Sequence, residues 1–160
     1  MFVKSIKAAG EVPLSQTNDR GLALIMRFEG LKLDAYQDVA GIWTIGYGHV
    51  RGVHPGMHLT EEQAQQALRD DLHLAEHVVD DSTRNATTSD NQFSAMVSLC
   101  FNIGAANFRG STVLKKHLTG DHTAAADAFL MWNKARVGGV LQEVVGLTNR
   151  RAAERQLYIS

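Results

Sequence analysis

The sequence predicts an α+β fold: a small antiparallel sheet, then a long helix, then a mostly helical remainder. Three observations predict it. Gly41, Gly46, Gly48, Gly52 and Gly56 crowd one short span among aromatic and β-branched residues, which is the mark of short strands and tight turns. Thr60-Glu61-Glu62-Gln63 is a capping box that opens a run with apolar residues at helical spacing. Beyond it, further cap signals recur at Ser89, Ser111 and Asp121, with no strand pattern between them.

The elements follow in order. Residues 1–18 are a weakly patterned lead-in. A helix starts after Asn18 or Asp19, both good N-caps, presents Leu22, Ile25, Met26 and Phe28, and stops at Gly30, the residue type expected just past a helix end. A hairpin turn is expected around Asp38 to Gly41. In the strand Ile42 to Tyr47, alternation puts Trp43, Ile45 and Tyr47 on one face, suited to a core. Thr44, Gly46 and Gly48 lie on the other, where the glycines leave room for a ligand to approach the backbone. The helix from residue 60 to about residue 80 carries Ala64, Ala67, Leu68, Asp71, Leu72, Ala75, Val78 and Val79 at helical spacing. Near twenty residues span about 30 Å, enough to bridge two lobes. Ser89 to Gln92 caps a helix bearing Phe93, Met96, Val97, Leu99 and Phe101. Ser111 caps a short one, and Asp121 another running through Ala124 to Trp132. Gly138, Gly139 and Gly146 read as a loop, and a last helix runs from about Thr148 to Tyr158. The organisation expected is a lead-in over 1–18 and one domain over 19–160. That domain divides into a sheet-bearing lobe to about 59, an interlobe helix over 60–80 and a helical lobe over 81–160.

Composition narrows the function classes. A chain of 160 residues with 44% hydrophobic and 21% charged residues is an ordinary globular domain, not a coiled coil, disordered tail or multi-span membrane protein. The net charge of −1 does not fit a nucleic-acid binder. Charge is uneven: residues 1–80 hold seven Lys or Arg against eleven Asp or Glu, and residues 81–160 hold nine against six. An acidic half and a basic half fit a cleft or an anionic polymer, and equally a solvated helix face. Cys100 is alone in an apolar run, which points to a buried structural thiol in a reducing compartment. The first residues carry charge but no apolar stretch of signal length, so cytoplasmic accumulation is expected.

The chemistry concentrates between Glu29 and His49. Glu29 ends an apolar helix, where orphan carbonyls and the negative dipole end disfavour a carboxylate and favour the protonated acid. Asp38 lies on a glycine-rich turn whose amides and water favour the ionised form. Two carboxyls in unlike settings are the acid-and-partner pattern of glycoside hydrolysis, and the Thr44 hydroxyl can hold a water between them. An ordinary helix end followed by a hairpin contains the same residue types.

The stretch also resembles a family. Glu29, then eight residues, Asp38, then five residues, Thr44 is similar to the catalytic signature of the phage-type lysozymes, the endolysin muramidases of glycoside hydrolase family 24. Phe28-Glu29-Gly30, Tyr36-Gln37-Asp38 and Thr44-Ile45-Gly46-Tyr47-Gly48-His49 share the likeness. So do Leu59 to Ala64, Gln92 to Ser98 with Phe101 to Gly104, Ser111 to Leu114, Trp132 with Gly138-Gly139, and Gly146-Leu147 with Arg150, Arg151 and Glu154. The likeness runs from about residue 19 to 160; residues 1–18 match nothing in it.

The resemblance implies a lysozyme-like fold and hydrolysis of the β-1,4 bond between N-acetylmuramic acid and N-acetylglucosamine in peptidoglycan. It implies Glu29 as proton donor, Asp38 as the group that orients or activates water and steadies the oxocarbenium charge, and Thr44 as the water's holder. An inverting course is implied, with the carboxyls about 6.5–9.5 Å apart. By matching positions it places Val50, Phe101, Asn102 and Ser111 along the substrate and pairs His49 with Asp71. It requires no cofactor and no metal. His49, His54 and His58, and His73 with His77, lack a zinc motif such as HExxH. Trp132 is expected in the core. Arg150, Arg151 and Arg155 are expected at a solvated helix end with Glu154 as partner, the alternative being contact with wall polymer or lipid headgroups. A monomer is expected, with no nucleic-acid partner and no stable membrane insertion, released through a separate holin pore toward a Gram-negative wall. The competing functions are a lytic transglycosylase, which uses one Glu and leaves an anhydro product, and a non-catalytic wall-binding module.

Overall fold

The computed structural model describes residues 14–160, so most of the lead-in over 1–18 lies outside the described residues. The chain forms two compact units, one of Ile25–Leu74 and one of the residues up to Leu24 with Ala75–Ser160. The class is the mixed helix-and-sheet one that the sequence predicts.

In the smaller unit, α1 (Asp19–Glu29) contributes its last turns. β1 (Lys32–Gln37) pairs antiparallel with β2 (Trp43–Gly46), with Tyr36 opposite Thr44 and Gln37 opposite Trp43. The segment around Met57 to Leu59 lines β1, through Ala35 N–H to the Met57 carbonyl and Leu59 N–H to the Leu33 carbonyl, each at 2.9 Å. α2 (Glu61–Ser82) begins at the Thr60 capping box, in which Gln63 N–H reaches Thr60 Oγ1 at 3.1 Å and Gln63 Oε1 accepts from Thr60 N–H at 2.9 Å. Ile25, Ile45, Ala64, Leu68 and Leu72 form the unit's core.

Both faces of β2 are covered. Thr44 and Gly46 are buried as Ile45 is, and a Cβ on Gly46 would stand 3.4 Å from that of Ala64. Gly46 therefore serves close packing of β2 on α2 and a left-handed turn (φ +65°), rather than opening the face to a ligand as expected.

The larger unit is built on α3 (Asp90–Ile103), buried continuously from Phe93 to Cys100 and begun by the Ser89 capping box. Around it stand α4 (Ala105–Arg109), α5 (Thr112–Leu118), α6 (His122–Ala128) and α7 (Val145–Ile159). Ser111 and Asp121 cap α5 and α6 through side-chain acceptors. After α6 the chain tightens into a 3-10 turn (Phe129–Met131) rather than continuing as helix to Trp132.

Residues 134–143 are not a loop: β3 (Lys134–Val137) and β4 (Val140–Glu143) form a hairpin, with Val137 opposite Val140 across Gly138 and Gly139, both at positive φ. Nor is the last helix a solvated basic face. Arg150, Arg151 and Glu154 are 4%, 0% and 0% exposed, so two of the nine cations in the basic half are interior. Arg155 pairs with Asp127 at 2.9 Å, not with Glu154.

Candidate active site

Glu29 is the last residue of α1. Gly30 closes the helix in the left-handed region (φ +73°), its N–H on the Met26 carbonyl at 3.1 Å, as a glycine past a helix end should. The Glu29 side chain is half-buried and turns toward the hairpin that follows β2. There Ile45 and His49 exchange two N–H to carbonyl bonds at 2.9 Å, closing a three-residue turn over Gly46, Tyr47 and Gly48. A Cβ on Gly48 would stand 3.7 Å from Glu29 Oε2, an ordinary contact. The glycine is thus required by its φ of +85°, and the carboxyl stands near it.

Asp38 heads the turn between β1 and β2. Its N–H bonds the Ile42 carbonyl and its carbonyl accepts from Gly41 N–H, both at 2.9 Å. Its Oδ1 accepts two backbone N–H groups, from Ala40 at 2.8 Å and Ile42 at 2.9 Å. One carboxyl oxygen is thereby locked by the turn. No hydrogen bond reaches Oδ2 among the described residues.

Thr44 stands on β2 at 4% exposure, and its hydroxyl donates to the Ile42 carbonyl at 2.9 Å. With its proton committed, Oγ1 can only accept from a further partner. Ile42 therefore links the two side chains: its N–H fixes Asp38 and its carbonyl fixes Thr44.

His49 Nδ1 lies 2.8 Å from Asp71 Oδ2, with both side chains largely covered, and Arg51 approaches the other Asp71 oxygen at 3.8 Å. This pair ties the Gly48 turn to α2. Nearby Tyr47 is buried, and burial with the Glu61 charge raises its phenol pKa. Val50 is half exposed on the same unit.

The remaining residues expected along the substrate belong to the larger unit. Phe101 and Asn102 occupy the last turn of α3, half-buried and exposed respectively. Ser111 is buried, its hydroxyl donating to the Phe108 carbonyl at 2.7 Å and accepting from Leu114 N–H at 3.2 Å, which caps α5. Trp132 is half-buried at the wall of a recess of about 340 Å³.

That recess, lined also by Asn102, Ile103, Asn107, Lys134 and Leu147, was not anticipated. Neither was the buried charge set behind it. Arg151 Nε lies 2.7 Å from Glu154 Oε1, and Glu154 Oε2 accepts from Ser98 Oγ at 2.5 Å and from Arg150 Nε at 3.4 Å. Burial raises the Glu154 pKa and lowers that of Arg151, each opposed by its partner's charge. The spacing of Arg150, Arg151 and Glu154, i to i+4 and i to i+3 on one helix, was the available signal. Among the described residues, no cluster of three His, Cys, Asp or Glu side chains is arranged to hold a metal ion.

The geometry joins a helix-terminal Glu, a turn-locked Asp and a strand Thr within one unit, and a phage lysozyme family model matches residues 26–154. The chain belongs to the phage lysozyme family. It is 43% identical over 143 residues to the endolysin of Acyrthosiphon pisum secondary endosymbiont phage 1, covering 89% of this chain and 97% of that one. It is 39% identical to the endolysin of Salmonella phage P22, covering 92% and 100%. In structure it is similar to the muramidase domain of SpmX from Asticaccaulis excentricus, with a TM-score of 0.85, 37% identity and coverage of 91% and 99%.

Proposed function

We propose that this phage-lysozyme family member is an endolysin that hydrolyses the β-1,4 bond between N-acetylmuramic acid and N-acetylglucosamine in peptidoglycan. The observation that carries the reading is Ile42, whose N–H and carbonyl hold Asp38 and Thr44 in fixed orientations on the same unit as Glu29.

In this reading Glu29 delivers its proton to the leaving glycosidic oxygen. A water donates one O–H to Thr44 Oγ1, which can only accept, and the other to Asp38 Oδ2. Its lone pair is then aimed at the anomeric carbon, and Asp38 takes the proton as the bond forms. The outcome is a single displacement with inversion, which needs the two carboxyls about 6.5–9.5 Å apart. Val50, Phe101 and Asn102 contact the glycan, and His49 with Asp71 steadies the Gly48 turn beneath Glu29. Ser111 contributes by fixing the start of α5. The chain acts as a monomer and reaches the wall through a separate pore, a route tested by fractionating cells that express it with and without a holin. Among the described residues no helix is long and apolar enough to cross a membrane.

The test of the chemistry is a turbidity assay on outer-membrane-permeabilised cells. Glu29→Gln should abolish clearing while the far-UV circular dichroism stays unchanged; full clearing by that variant ends the proposal. Mass spectrometry of the products should show hydrated reducing ends. Anhydro ends would assign a transglycosylase instead.

A further inference from the structure

The buried charges of the larger unit call for an explanation that stability does not supply. Replacing a buried ion pair by apolar groups of similar volume is often neutral or stabilising, so such a pair is poor evidence for a stabilising role. What an apolar set cannot do is orient a neighbouring amide. Arg151, fully buried, sends Nη2 to Asn102 Oδ1 at 2.9 Å and Nη1 to the Trp132 carbonyl at 3.4 Å. Both of those residues line the recess. A guanidinium has donors only, so the Asn102 amide must face it with oxygen, which leaves the two N–H donors of Nδ2 without a partner among the described residues, on a side chain that lines the recess. Glu154 holds the guanidinium as an ion pair, with Nη2 donating to Oε2 at 3.4 Å, and Ser98 holds Glu154 in turn. The chain of contacts therefore ends on a pair of uncommitted donors in a recess that Trp132, Ile103 and Leu147 also line.

We propose that Arg151 is a positioning residue that sets Asn102 to donate to an amide carbonyl of the substrate, with Trp132 and Leu147 packing against the group's apolar side. The inference rests on the reading of the chain as a peptidoglycan hydrolase. Amide carbonyls occur on both the acetamido groups of the glycan and its peptide stems, and the probes below separate them.

The decisive variant is Asn102→Asp. The carboxylate keeps an acceptor for Arg151, so the fold stays, but it has no donor to offer the recess. We expect KM for soluble peptidoglycan fragments to rise about tenfold, the usual scale of one hydrogen bond, with kcat within about twofold and an unchanged or raised Tm. Arg151→Lys should raise KM by a similar factor, and Arg151→Lys with Asn102→Ala should be no worse than Asn102→Ala alone. If Arg151→Lys fails to fold, the pair Arg151→Met and Glu154→Leu takes its place in the same cycle. Loss on peptide-free glycan oligomers identifies the acetamido group. Loss confined to peptide-bearing fragments identifies the stem. A wild-type KM in Asn102→Asp with both probes, or effects of the two positions that multiply, overturns the inference while leaving the hydrolase reading intact. A wild-type chain that releases no fragments at all defeats both.

Discussion

Lowering the pH should destabilise this protein through His117. His117 lies on α5 at 1% exposure, its Nε2 at 2.8 Å from Thr88 Oγ1 and its Nδ1 at 2.6 Å from the Tyr158 hydroxyl. The His122 ring stacks on it with centroids 5.3 Å apart, and His122 itself faces Gln92. Either neutral tautomer satisfies both neighbours. Protonation brings a charge into the interior beside a second imidazole. Burial first, and His122 second, push the His117 pKa down from 6.5 to about 4. The folded state thus binds the proton more weakly than the unfolded chain does. The stability tied to the neutral ring is fully present above pH 6.5 and drains away as pH falls toward 4. Integrating that gap gives a loss of about 2 kcal/mol between pH 7 and pH 5, and about 3 kcal/mol by pH 4. Against a typical domain stability of about 5–15 kcal/mol, that is a large share. Urea titrations at these pH values, on the wild type and on His117→Gln, isolate it. The variant starts lower but should lack this slope, so the two stability curves converge on acidification. Parallel curves down to pH 4 would refute the burial argument.

Other expectations follow from single contacts. A Cβ on Gly21 would meet Ser94 Cβ at 2.5 Å and Thr17 Cγ2 at 2.9 Å. Overpacking by about 1–3 kcal/mol should therefore outweigh the roughly 1 kcal/mol that alanine gains over glycine in a helix, and Gly21→Ala should lower Tm; a raised Tm would contradict this. Cys100 is 2% exposed, and burial pushes its thiol up to about 11. It should resist alkylation in the native protein at pH 8 and react fully in denaturant, as mass spectrometry would record. Asp71→Ala removes the partner of His49 at 2.8 Å from a mostly covered site. It should cost about 1–3 kcal/mol in urea unfolding, and a change under about 0.5 kcal/mol would assign the pair no structural weight.

What the sequence revealed was largely what is decided locally. The caps at Thr60, Ser89, Ser111 and Asp121 are each written within four residues of the backbone groups they bind, and all four form. The spacing of Glu29, Asp38 and Thr44 was likewise legible, since a helix end and one hairpin carry all three. Partners from distant segments were not. Alternation on β2 could not foretell that Ala64 would press on Gly46, or that the Thr44 proton would turn back to Ile42. Arg151 and Glu154 looked like surface because charged residues usually are; their burial depends on Ser98 and Asn102, about fifty positions away. The β3–β4 hairpin was missed for the opposite reason. Its strands are only four residues long and mostly exposed, so no buried face imposed a pattern, although Gly138-Gly139 between two valines was the turn signal to weigh.

The buried charge set also constrains how the sequence can change over generations. Removing one member of a buried pair costs about 3–5 kcal/mol, whereas exchanging the whole set for apolar residues is often tolerated. Positions 98, 151 and 154 are therefore linked as one inherited unit, and most single steps away from it pass through a chain near the edge of folding. Substitutions there should appear together across descendants or not at all, so a lineage that abandons the arrangement must cross a barrier that neighbouring surface positions never meet.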